Sequence, residues 1–153
     1  MIRFIVLDSG PLGLVTHPQR SAPVVAIGDW LSHCLLSEVQ FIVPAIVYYK
    51  LRRELMRANK TLGVSRLDAF VNIRPDRYLP LSDVALRLAA DLWAQARRAG
   101  RPTAGHDALD IDVLIAAQVL SVNTRPSEIV IATTNAKHLS QFVAARDWTE
   151  IVL

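Results

Sequence analysis

"FIVLDSGPLG", residues 4–13, decides the fold: four apolar residues run straight into an aspartate, a serine and a glycine. A continuous apolar run reads as a strand buried on both faces, which suits the centre of a parallel sheet. The residue that follows such a strand sits at the mouth of the sheet, where ligands bind. An acid abutting so apolar a strand lies at the edge of the core and needs a partner there. Asp8 is therefore a candidate site residue, and capping the helix that starts near Pro11 is its local alternative role.

Outward from this stretch, strands and helices alternate. Pro23 to Leu36 has the 3.6-residue apolar rhythm of a helix, "VQFIVP" (39–44) repeats the strand pattern, and Ala45 to Asn59 sets an apolar helix face against a basic one. "SRLDAFVNI" (65–73) predicts a short helix and "RYLPL" (77–81) a short strand. Ser82 is placed to cap a long helix through Ala99. "AGRPTAGHD" (99–107) reads as a loop, "ALDIDVLIAAQVL" (108–120) as a helix and "EIVIATT" (128–134) as a strand. "NAKHLSQF" (135–142) reads as a short helix and "WTEIVL" (148–153) as a last strand. This alternation predicts an α/β protein, a three-layer α/β/α sandwich with a mostly parallel central sheet.

The 153 residues suit a single domain spanning 1–153, and 52% hydrophobic with 20% charged residues excludes a disordered chain. The formal charge of +3 and the pI near 9.4 are compatible with a phosphate-bearing partner without requiring one. The single cysteine, Cys34, cannot form an internal disulfide and lies in the apolar "WLSHCLLS". The apolar runs at the N-terminus and at "FIVPAIVYY" are too short for a signal peptide or a membrane span, so a cytoplasmic location is expected.

Polar residues gather where such folds place their chemistry. They are Asp8 and Ser9 after the first strand, Lys50 and Glu54 on the second-strand helix, and His106, Asp107, Asp110 and Asp112 near the start of the late helix. Thr133, Thr134 and Asn135 follow the fourth strand. Separated acids that converge repel one another unless a cation neutralises them, and oxygen ligands suit magnesium or manganese better than zinc. Capping is the favoured role for Asp107, and Asn135 is balanced between starting a helix and serving the site. Asp110 and Asp112 cannot share a helix face, so one at most points into a common site. His106 reads as a loop histidine.

Taken together, "VLDSGPLG", "VPAIVYYKLRREL", "DVLIAAQ" and "IATTNAKHL" resemble, in order and over nearly the whole length, the four motifs of the PIN domain family of VapC-type toxin ribonucleases. The resemblance implies a magnesium- or manganese-dependent endoribonuclease, the toxin of a type II toxin–antitoxin pair. It implies Asp8 and Asp112 as metal ligands, with Asp110 as an auxiliary acid and Asn135 completing the catalytic set. Ser9 and Thr133 would support them. Single-stranded or structured RNA, a cognate antitoxin and a second copy of the chain are the implied partners, with no membrane. Arginines of the second-motif helix and of "QARRAGRP" (95–102) would attract the RNA backbone.

The second motif departs from the family pattern, which has glutamate where this chain has Lys50. An ammonium there would occupy the space of a cation and weaken metal binding. Glu54 lies one helical turn on, about 6 Å away, and supports the site only through a displaced helix or a bridging water. Alternatively the helix is shifted by one residue and Lys50 faces solvent with Arg53 and Arg57. The competing function is a catalytically inactive PIN scaffold that binds RNA or a protein partner without cutting, with Lys50 salt-bridged to Asp8.

Overall fold

β-branched and aliphatic side chains at Phe4–Leu7 form β1, and successive residues Ile5, Val6 and Leu7 are all fully buried although they point to opposite faces. Both faces of the sheet are therefore covered. The computed structural model describes residues 1–100 and 105–153. Among them, β2 (Gln40–Pro44), β3 (Tyr78–Leu79), β4 (Ile129–Thr133) and β5 (Ala145–Asp147) join β1 in a five-stranded sheet of order β3-β2-β1-β4-β5. Every pairing is parallel, with Val6 opposite Ile42 on one side and Ile131 on the other. The central position expected for the first strand is observed, and β1 covers the four apolar residues of the quoted run.

The helices are α1 (Ser9–Val15), α2 (Ala22–Leu36), α3 (Ala45–Arg57), α4 (Thr61–Asn72), α5 (Asp83–Arg98), α6 (His106–Leu120) and the short α7 (Ala136–Leu139). The architecture is the expected α/β class. Ser82 caps α5 by accepting from the Ala85 N–H at 3.1 Å, as its sequence position predicted. No helix among the described residues is long and apolar enough to cross a membrane.

Three local expectations are corrected. α4 begins at Thr61, four residues before the predicted segment, because Leu67 and Val71 bury one face while Gly63 lets Leu55 of α3 approach closely. The last strand is Ala145–Asp147 and not Trp148–Leu153. Asp147 Oδ1 accepts from the Thr149 N–H at 3.0 Å and the Thr149 hydroxyl at 2.7 Å, which turns the chain out of the sheet. The predicted loop at 99–107 ends earlier, since α6 starts at His106, and residues 101–104 of that loop lie outside the described residues.

Two polar ties set the position of α3. Gln118, fully buried on α6, accepts from the Ile46 N–H at 3.2 Å and donates to the Leu79 carbonyl at 2.8 Å. It thus satisfies an orphan donor in the first turn of α3 and a strand carbonyl together. On the far side, Asp68 of α4 accepts from the Tyr48 hydroxyl at 2.7 Å and from Arg52 Nε at 3.2 Å. That pair holds the Asp68 carboxyl below its ordinary value, with the Arg52 hydrogen bond the largest cause. α3 is fixed from both sides, and so is the direction in which Lys50 points. Cys34 is buried, and burial pushes its thiol up to about 11, which leaves it an inert part of the core.

Candidate active site

β1 ends at Leu7, and Asp8 follows in extended conformation as the N-cap of α1, its Oδ1 accepting from the Ser9 N–H at 2.7 Å. Its other oxygen, Oδ2, accepts from the Thr133 hydroxyl at 2.8 Å, and the same hydroxyl oxygen accepts from the Asn135 N–H at 3.0 Å. Capping and site membership are thus not alternatives for Asp8. The cap orients the carboxylate, and fully buried Thr133 on the neighbouring strand locks it at the sheet's carboxyl edge. Gly10 permits this closeness, because a Cβ there would stand 2.7 Å from Thr134 Oγ1.

At this edge opens a cleft of about 290 Å³, lined by Asp8, Ser9, Lys50, Asp112, Asn135 and His138 together with Arg53 and Asp107. Larger hollows exist, such as the groove of about 560 Å³ along α3 beside Tyr48, Tyr49 and Met56, but no carboxylate lines that groove. The smaller cleft is where titratable groups meet at the topological switch point of the sheet, so it is the candidate site.

Asp112 projects into the cleft from α6. Its carboxyl is raised above the ordinary value of 3.8, first by burial and then by the nearby charge of Asp8, while His138 and Lys50 pull it back down. The folded chain consequently holds this proton more tightly than the unfolded chain does. Stability from Asp112 is full below 3.8 and is lost as pH rises through the raised value. Asp112→Asn is therefore expected to raise the thermal midpoint near neutral pH, with the gain shrinking toward zero in acid. Paired melting curves across that range check it, and a gain that grows in acid would contradict it.

Lys50 is half-buried and lines the cleft, so the alternative with Lys50 turned to solvent is not realised. The expected Lys50–Asp8 salt bridge is not formed either. Among the described residues Lys50 makes no ion pair within 4.0 Å, and it acts on Asp112 through the field of the cleft.

Other expectations divide. Ser9 and Thr133 bond Asp8 directly and Asn135 reaches it through Thr133 while lining the cleft, whereas Asp110 is exposed and stands outside the cleft lining, as its two-residue offset from Asp112 requires. Glu54 is exposed and turned away, paired with Arg57 at 3.0 Å and Arg53 at 4.0 Å. Asp107 is not the cap of α6, which is Gly105. It sits in the first turn, where its charge suits the helix dipole, and borders the cleft. His106 is the first residue of α6, and its side chain lies outside the described residues. Sequence reasoning missed His138. Its signal was the three-residue spacing from Asn135, which puts both on one side of α7.

No family model and no curated protein matches the sequence. Solved structures do. A chain of FitAcB from Neisseria gonorrhoeae matches with a TM-score of 0.70 at 22% identity, covering 96% of this chain and 99% of that one. A chain of VapBC2 from Rickettsia felis, bound to a DNA fragment from its promoter, matches with a TM-score of 0.70 at 16% identity over 95% and 98%. The chain has the PIN fold. VapBC-1 from nontypeable Haemophilus influenzae gives a TM-score of 0.65 at 15% identity over 96% and 99%.

In the PIN fold the acids of this cleft would hold a divalent ion, so the donor set decides whether they fit one here. Magnesium takes an octahedral oxygen shell, part carboxylate and part water. Asp8 and Asp112 offer such oxygens and Asn135 an amide, but α3 contributes Lys50, whose charge acts on Asp112, and places Arg53 in the same cleft lining. Among the described residues no group of three or more His, Cys, Asp or Glu side chains is placed to hold a metal ion. As they stand, these residues do not fit a divalent metal.

Proposed function

We propose that the protein is the toxin component of a toxin–antitoxin pair, built as a metal-dependent endoribonuclease whose cutting centre is disabled by Lys50. The observation that carries this reading is the convergence of Asp8 and Asp112 with Lys50 in one cleft at the carboxyl edge of the PIN sheet. Two carboxylates of one cleft, of which Asp112 is made hard to ionise first by burial and then by the charge of Asp8, are the arrangement a cation would relieve. The Lys50 ammonium supplies part of that relief from within the chain.

What remains is a surface for binding RNA. Lys50 and Arg53 offer cations to a phosphate, and Arg57, one turn beyond Arg53, continues that side of α3. Single-stranded segments suit it best, because A-form duplex hides its base edges. A cognate antitoxin is supported by the solved neighbours, which are FitAB and VapBC assemblies. Magnesium or manganese would bind once the position of Lys50 carries a carboxylate.

Inducible expression in a bacterial host tests the reading. Lys50→Glu should arrest growth, whereas the protein as given and Lys50→Glu combined with Asp8→Asn should not. Growth unaffected by Lys50→Glu, with the protein soluble and folded, would overturn the toxin assignment.

A further inference from the structure

His138 lines the cleft and lowers the Asp112 carboxyl, yet the motifs assign it no role. It is half-buried on α7 and borders the cleft opposite Lys50 and Arg53, with Asp8, Asp112 and Asn135 also facing the same space. Its Nδ1 is sealed from solvent and has no hydrogen-bond partner among the described residues. Orphaned buried N–H groups are rarer than under-satisfied acceptors, so a sealed, unpartnered nitrogen is better left as a bare lone pair. In the uncharged ring the hydrogen then belongs to Nε2, which is not among the sealed, unpartnered atoms of the described residues.

We propose that His138 presents Nε2–H to the cleft as a fixed hydrogen-bond donor for a phosphate oxygen of bound RNA. The assignment rests on the RNA reading above and adds a residue to it. Lys50 and Arg53 on α3 and His138 on α7 then face an anion from two sides of the cleft, two as charges and one as a directional donor. A substrate phosphate so held lies beside Asp8 and Asp112, which is where a cleavage centre needs it.

Two measurements test this. Nitrogen-15 NMR of the histidine rings in the free protein reads which nitrogen bears the hydrogen, and the expected result for His138 is Nε2–H. An Nδ1–H tautomer overturns the proposal without touching the RNA reading. Fluorescence anisotropy with a labelled single-stranded RNA in EDTA then compares the protein as given with His138→Asn and His138→Gln. The Gln amide nitrogen falls near the Nε2 position and the Asn amide near Nδ1.

Binding about ten-fold weaker for Asn but within about two-fold for Gln is expected, given melting points like that of the parent. Equal binding by all three proteins, or equal loss in both variants, overturns the donor role while RNA binding stands. If the protein as given binds no RNA although His138 carries Nε2–H, the RNA reading has failed and the phosphate assignment is overturned with it.

Discussion

Lys50→Glu is expected to raise magnesium-dependent cleavage of single-stranded RNA by about a hundred-fold or more over the protein as given. At an effective dielectric near 20, a unit charge about 5 Å away is worth roughly 3 kcal/mol. Reversing a charge beside a divalent ion therefore exceeds the ~2.8 kcal/mol that a hundred-fold change requires. The new carboxylate would join Asp8 and Asp112 on the cleft wall that Lys50 now occupies. Adding Asp8→Asn should abolish the gain, which also separates the signal from contaminating ribonuclease. Equal cleavage by the protein as given and Lys50→Glu would mean that the ammonium does not block the centre.

The second large effect is structural. Gln118→Ala should lower folding stability by about 2–4 kcal/mol, read as a shift in the denaturant midpoint at constant slope. The side chain is fully buried, and removing it strands the Ile46 N–H and the Leu79 carbonyl without partners while leaving a void between α6 and α3. Because α3 carries Lys50 and α6 carries Asp112, the same change should blunt the activity gained by Lys50→Glu. A midpoint within error of the parent would show that water or a neighbour replaces the amide.

Much of this was legible in the residues. The unbroken apolar runs at residues 4–7 and 129–132 read as strands buried on both faces, which puts the polar residue after each at the sheet's mouth. Asp8 and Thr133 were found that way, and the two meet in a 2.8 Å hydrogen bond. The offset between Asp110 and Asp112 foretold that one of them would face away. Lys50 was located by motif position, but its direction depended on the Gln118 and Asp68 ties that fix the rotation of α3.

What stayed hidden depended on tertiary contacts. Periodicity marks Gln118 only as a polar residue within an apolar helix, and its partners lie 72 and 39 residues away. The end of the sheet at Asp147 follows from an Asx turn whose strength is local but whose competitor, an apolar "EIVL", reads as strand. His138 was passed over because its three-residue spacing from Asn135, on a helix of four residues, is too short a pattern to stand out. Only its sealed Nδ1 and its place beside Asp112 distinguish it.

The most direct test of the central claim, that Lys50 stands in for the cation, is calorimetric titration of manganese into the protein as given and into Lys50→Glu. The account predicts no measurable binding to the protein as given, and in Lys50→Glu a single site that is lost when Asp8→Asn is added. Equal, Asp8-dependent manganese binding by both proteins would contradict it.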